Sequence, residues 1–324
     1  MASNLRIVFM GTPEFAVASL DILVLNGYSI VGVVTAPDKP AGRGLELSVS
    51  DVKKYALEKG LNILQPVKLK EDQFLNELRS LRADLQVVVA FRMLPEVVWN
   101  MPHLGTINLH GSLLPHYRGA APINRAVMNG ESQTGVSTFF LQQEVDTGKI
   151  IFQRTTLIGE NESAGDVHDR MMVLGAELVL ETVRAIESGN YPQIDQTSRI
   201  PAGEPIKTAP KIFKEDCRIS WNTSEVQVHN FIRGLSPYPG AHTELLSPQG
   251  KRFPIKIFRA SRSGDPGGGT PGKVYTDGKT FLQISTSGGS IRAEEVQLAG
   301  KRKMNTTEFL RGFPLSQGWT VAES

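Results

Sequence analysis

LRIVFMGTPEFAVASLDILVLNG, residues 5–27, decides the fold class. Leu5–Met10 is apolar except at Arg6, as a strand covered on both faces must be. Gly11-Thr-Pro13 follows as a turn with proline where a helix opens, and a helical pattern runs from there to Asn26-Gly27. The same alternation continues through an apolar run at Ile30–Thr35, a helix near Asp51–Lys59 and a short strand near Leu61–Leu64. A helix at about Glu71–Leu81 and the apolar run Ala83–Ala90 complete it. Strands alternating with helices, several of them apolar throughout, predict a Rossmann-like α/β fold: a mostly parallel sheet with flanking helices. In such sheets ligands sit beyond the carboxyl ends of the strands, at a switch point.

Thr106–His110 is placed at such a carboxyl end and opens the stretch INLHGSLLPHYRGAAPI, residues 107–123. Side chains alternate along a strand, so Asn108 and His110 project together while Leu109 turns into the core. A paired amide and imidazole at the mouth of a sheet can hydrogen-bond an oxygen that gains charge during reaction, and the imidazole can move protons near neutral pH. The same spacing is equally compatible with a histidine that satisfies a loop carbonyl. The following loop, SLLPHYRGAAPI, is apolar and stiffened by prolines, suited to wall a flat heterocycle or to serve as a plain connection. Asp146, in EVDTGKII, reads locally as a turn residue.

A helix around Ala121–Met128, strands at Gly135–Leu141 and Lys149–Leu157, and a long helix from about Ser163 to Glu187 complete a first domain, residues 1–189. Residues 190–207, rich in Pro, Gly and Gln without periodicity, read as a linker. Beyond a helix near Ser224–Gly234, residues 208–324 are short strands separated by turns, which predicts a C-terminal OB-like β-barrel domain. Charge divides unevenly. Residues 1–207 carry 19 basic and 23 acidic side chains, net −4, whereas residues 208–324 carry 16 and 10, net +6. The basic balance admits a polyanionic partner for the second domain or a solvated basic face.

The single cysteine, Cys217, excludes an internal disulfide, and the six histidines lack the paired spacings of zinc sites, so no metal is expected. No apolar run reaches the roughly 20 residues that span a bilayer, and MASNLRIVFMGTPEF lacks the layout of a secretory signal, so a cytoplasmic location is expected. GTPEF lacks the spaced glycines and lysine of nucleotide loops, and no G-x-S-x-G elbow is present. A glycine-flanked arginine, Arg43, lies in the loop APDKPAGRGLELS with Asp38 and Lys39, where it can reach a large substrate or form a solvated tip.

INLHGSLLPHYRGAAPI with EVDTGKI some thirty residues on resembles the signature of the formyltransferases that use 10-formyltetrahydrofolate. The likeness extends over nearly the whole chain, through RIVFMGTPEFA, TAPDKPAGRG, TAPKIFKEDCRISW and IRGLSPYPGAHT. It implies a catalytic trio of Asn108, His110 and Asp146, and a folate-binding segment at Ser112, Leu113, Leu114 and Pro115. The segment Ala90-Phe-Arg-Met-Leu-Pro95 is also folate-lining by resemblance, which brings in Arg92 and Leu94. It is one residue shorter than the family's A-Y-G-x-I-L-P, with Arg92 at a glycine position. His116-Tyr117 stands where the family more often has Lys/Arg-Trp.

The long glycine-arginine loop and the C-terminal barrel point to the branch that acts on aminoacylated tRNA. The implied reaction is formyl transfer from 10-formyltetrahydrofolate to the amino group of methionine on initiator methionyl-tRNA, for translation initiation. Arg43 and Lys39 inherit a tRNA-binding role, the barrel a contact with the tRNA backbone, and a monomer is expected. The alternative is formyl transfer to a small amine such as a nucleotide sugar or glycinamide ribonucleotide.

Overall fold

The computed structural model describes residues 4–41, 46–200, 203–264 and 269–322. They form two compact units. The first is drawn from Met1–Pro122, Thr134–Thr156 and His168–Thr208, the second from Ile123–Gln133, Leu157–Val167 and Ala209–Ser324.

In the first unit the chain runs β1 (Arg6–Gly11), α1 (Glu14–Leu25), β2 (Ser29–Val34), the small hairpin β3 (Lys39–Ala41) and β4 (Glu46–Ser48), α2 (Asp51–Glu58), and β5 (Ile63–Leu64). It continues with α3 (Asp72–Ser80), β6 (Leu85–Val89), α4 (Glu96–Trp99), β7 (Thr106–His110) and β8 (Arg118–Gly119). Next in chain order come α5 (Pro122–Met128), which from Ile123 on belongs to the second unit, then β9 (Gln133–Phe140), β10 (Ile150–Leu157) and the long α6 (Ala164–Glu187), which belongs to the first unit from His168 on. Ile7, Val8, Phe9 and Met10 of β1 are fully buried, which is why that run is apolar on both faces. A side chain on Gly11 would stand 2.6 Å from Cβ of Ala16, so the first turn needs glycine to bring α1 down onto the sheet.

The sheet order is β10-β9-β7-β6-β1-β2-β5. Strands β5, β2, β1, β6 and β7 are mutually parallel, and β9 joins β7 antiparallel. From β1 the chain steps outward through β2 to β5, then returns to the other side of β1 as β6. The switch point therefore lies between β1 and β6, and β7 is the next strand out, with His110 at its carboxyl end. Val8, Met10, Val34, Leu64, Phe74, Leu78, Val88 and Val98 pack together as one core of this unit.

After β11 (Thr208–Ala209), at which the chain passes from the first unit to the second, the second unit contains α7 (Glu225–Gly234), β12 (Ala241–Leu246), β13 (Arg252–Arg262), β14 (Val274–Thr276), β15 (Leu282–Thr286), β16 (Gly289–Leu298), β17 (Met304–Asn305), α8 (Thr306–Gly312) and β18 (Thr320–Val321). Six antiparallel strands run in the order β14-β15-β16-β13-β12-β18. Val274 N donates to Trp319 O at 3.1 Å and Val321 N to Gly272 O at 2.8 Å, so the two outer strands meet and the barrel is nearly closed. Its core gathers Ile219, Trp221, Ile232, Leu245, Ile257, Ile284, Ile291 and Val296. Ser224 and Gln227 form a reciprocal capping box at the start of α7. At its end, buried Arg233 donates to the carbonyls of Gly159 and Glu162, and Asn124 to that of Gly234. No helix among the described residues is long and apolar enough to cross a membrane.

Candidate active site

His110 is the last residue of β7 and is 6% exposed. Its Nε2 lies 2.8 Å from the carbonyl oxygen of Tyr117. A carbonyl only accepts, so Nε2 carries a hydrogen in both charge states of the ring, and Nδ1 is the nitrogen that gains or loses a proton. Nδ1 faces Oδ2 of Asp146 across 3.8 Å. That gap is too long for a direct hydrogen bond but short enough for strong attraction when the imidazole is charged, because both side chains are largely withdrawn from water. One nitrogen of the histidine thus satisfies a loop carbonyl, and the other faces a carboxylate.

Asp146 is both a turn residue and a presented carboxylate. Its φ of 54° is left-handed, a region that aspartate tolerates better than most residues. A side chain on Gly148 would stand 1.7 Å from Phe140 O, so the Asp-Thr-Gly turn lies tight against the end of β9. Oδ2 of Asp146 accepts from the main-chain N–H of Gly119 at 3.0 Å. Tyr117, two residues earlier, also has a left-handed φ, 60°, and is buried and held by donation from its N–H to Lys207 O. A bulky residue in that region costs roughly 1–3 kcal/mol and persists only where its surroundings fix it. Here the strained residue supplies the carbonyl that orients His110.

Asn108 pairs in register with Val88 of β6 and Phe139 of β9, while His110 pairs with Ser137. Asn108 is half-buried, and among the described residues its amide has no hydrogen-bond partner.

The Ser112–Pro115 segment is held from beneath. Ser137 Oγ donates to Ser112 O at 2.6 Å and accepts from Leu114 N at 3.1 Å, and Gln153 Nε2 reaches both Ser137 Oγ and Leu114 O. The Ser112 hydroxyl donates to His116 O, and Leu114 packs on Phe139 and Ile150. These two side chains therefore face inward, and of the segment's side chains Leu113 alone is half-buried. In the other loop Leu94 is buried in the sheet core, whereas Arg92 is exposed and donates to the carbonyls of Pro66 and Val67. Lys39 is exposed at the start of the β3–β4 hairpin, and Arg43 lies outside the described residues. Among the described residues no three His, Cys, Asp or Glu side chains gather as a metal site.

Two residues of this arrangement carry no signal in the sequence, Ser137 and Gln196, and Arg118 stands in the motif without an assigned role. Gln196 is the most consequential of them. It is 2% exposed, its Oε1 accepts from Nε and Nη2 of Arg118 at 3.0 and 2.6 Å, and its Nε2 donates to Asp146 O and Gly148 O at 2.9 and 2.8 Å.

Residues 5–183 match the family described as Formyl transferase, and residues 211–314 its C-terminal domain. Methionyl-tRNA formyltransferase of Bacteroides thetaiotaomicron is 54% identical over 318 residues, 98% of each chain. The chain belongs to the methionyl-tRNA formyltransferase family. The enzyme of the same name from Flavobacterium johnsoniae is 49% identical over 313 residues, covering 97% of this chain and 98% of that one. Among solved structures, the sugar 3N-formyltransferase WlaRD, described in the presence of dTDP and 5-N-formyl-THF, aligns with a TM-score of 0.62 at 19% identity, over 93% of this chain and all of that one. HypX from Aquifex aeolicus in complex with tetrahydrofolic acid aligns with a TM-score of 0.61 at 20% identity, over 95% of this chain and 47% of that one. At such identities these two establish the fold.

Proposed function

We infer that this chain transfers a formyl group from 10-formyltetrahydrofolate to the amino group of methionine on initiator methionyl-tRNA. The observation that carries this reading is the likeness to methionyl-tRNA formyltransferases over both units, 98% of each chain, including the basic C-terminal part. In this reading residues 1–189 form the catalytic domain, 190–207 a linker and 208–324 a tRNA-contacting barrel whose net +6 charge suits a phosphate backbone. The protein acts as a cytoplasmic monomer without a metal.

The methionine amine attacks the formyl carbon, a C–N bond forms, and the carbonyl electron pair moves onto oxygen. Asn108 donates from its amide to that oxyanion, and His110 stabilises it as a protonated or proton-shuttling imidazole. Asp146 balances the imidazolium and takes part in moving the proton from the attacking nitrogen toward N10 of the folate. Collapse of the oxyanion then breaks the bond to N10, which leaves as the protonated amine. The folate lies along Ser112–Pro115 and the 90–95 segment that carries Arg92 and Leu94, largely against main chain. Lys39 and Arg43 meet the tRNA.

The test is formyl incorporation from 10-formyltetrahydrofolate into methionine-charged initiator tRNA, beside a nucleotide-linked amino sugar and glycinamide ribonucleotide. Transfer to the tRNA alone is expected. Transfer to a small amine alone would overturn the acceptor while leaving the trio in place.

A further inference from the structure

Both of the loops that set the His110–Asp146 geometry end on one buried amide. The loop after β7 contributes Tyr117 O to His110, Gly119 N to Asp146, and between them Arg118, whose guanidinium donates twice to Gln196 Oε1. The loop after β9 contributes Asp146 itself, and the carbonyls of Asp146 and Gly148 receive the two hydrogens of Gln196 Nε2. A glutamine amide has two hydrogens and two acceptor lone pairs, and all four are used here with partners at 2.6–3.0 Å. Any shift of one loop relative to the other therefore breaks at least one buried hydrogen bond.

The segment bearing Gln196 is itself fixed. Ile194 and Ile150 exchange both main-chain hydrogen bonds at 2.8 and 2.9 Å, and Asp195 caps the short turn through Thr197 N. Ile194 also packs against the cluster of Leu114, Phe139 and Ile150.

We propose that Gln196 is a positioning residue for formyl transfer: it locks the left-handed Asp146 turn onto the Arg118 loop and so fixes the carboxylate opposite Nδ1 of His110. The proposal rests on the catalytic reading of His110 and Asp146.

Two substitutions separate its parts. Gln196→Met keeps the volume and loses all four bonds, whereas Gln196→Glu keeps the acceptor for Arg118 and loses the donors to Asp146 O and Gly148 O. Both are expected to lower kcat by roughly ten- to hundredfold, with KM for folate and tRNA changing by about twofold or less, as a small misplacement of a catalytic group does. In an Asp146→Asn background Gln196→Met is expected to add no further loss, because it acts through Asp146. Imidazole 15N spectra of the full chain without substrates provide a readout independent of turnover. Gln196→Met should move the His110 signals in the same direction as Asp146→Asn does. Wild-type kcat with unmoved His110 signals, or losses that multiply in the double variant, would overturn the proposal. If the wild-type chain itself fails to formylate the tRNA, the functional reading falls, and the 15N spectra still decide whether Gln196 positions the pair.

Discussion

Oδ2 of Asp146 stands 3.8 Å from Nδ1 of His110 while accepting a hydrogen bond from Gly119 N at 3.0 Å. The carboxylate is thus held by a main-chain donor and does not depend on the imidazole for its place. Removing either partner should then leave the fold intact and abolish the action of the pair on the reacting groups. His110→Ala and Asp146→Asn are each expected to lower kcat by roughly two or more powers of ten, with the thermal midpoint close to wild type for Asp146→Asn and lowered for His110→Ala, which leaves Tyr117 O without its partner. Near-normal turnover in both variants would rule the pair out as catalytic.

Asn108 differs from its neighbours in having its amide uncommitted among the described residues. Asn108→Ala is expected to lower kcat by about two to three powers of ten, the scale of losing one oxyanion donor. Asn108→Asp should fall at least as far, since it sets a negative charge where the transition state gains one. Single-turnover rates at saturating substrates check the order: an Asp variant faster than the Ala variant would exclude oxyanion donation.

Ser137 predicts a different pattern. Its hydroxyl ties Ser112 O, Leu114 N and Gln153 together beneath the loop assigned to folate. Ser137→Ala leaves the buried Ser112 carbonyl and Leu114 N–H without that partner, costing about 1–3 kcal/mol of stability. It should also raise KM for the folate substrate more than it lowers kcat, because the loop and not the catalytic pair is released. Steady-state kinetics beside a denaturant titration would show this; an unchanged KM would separate the loop from folate binding.

The sheet and its edge were legible because they rest on patterns of residue type. Ile7–Met10 is apolar since it is buried on both faces, and Asn108 and His110 stand out as polar groups where a strand should remain apolar. Gln196 was not legible. A glutamine in a stretch rich in Pro, Gly and Gln has the composition of a linker, and the Ile150–Ile194 pairing, more than forty residues apart, helps carry it to the Asp146 turn. Ser112 and Leu114 show the converse. The resemblance marks them for folate, but their side chains are turned into the loop, on His116 O and on Phe139 with Ile150. A sequence pattern reports which positions matter more readily than which atoms face the substrate.

The second unit carries a pH dependence of its own. His229, 3% exposed in α7, is held below its ordinary value of 6.5 first by burial and then by Arg233 and Arg262, against weaker opposing effects of the Ala260 carbonyl and Glu160. His242 in β12 is lowered in the same way, by burial and then Arg218, Lys256 and Lys214, with Glu244 opposing. Both therefore bind protons more readily unfolded than folded, so their contribution to stability is full above about 6.5 and is lost as pH falls through and below that value. The transition of the second unit should move to lower temperature between pH 7 and 5, and His229→Gln, which cannot take up the proton, should flatten that slope even if it lowers the midpoint at pH 7. Calorimetry of the full chain at several pH values reads both effects. A slope unchanged by His229→Gln would assign the acid sensitivity to other groups.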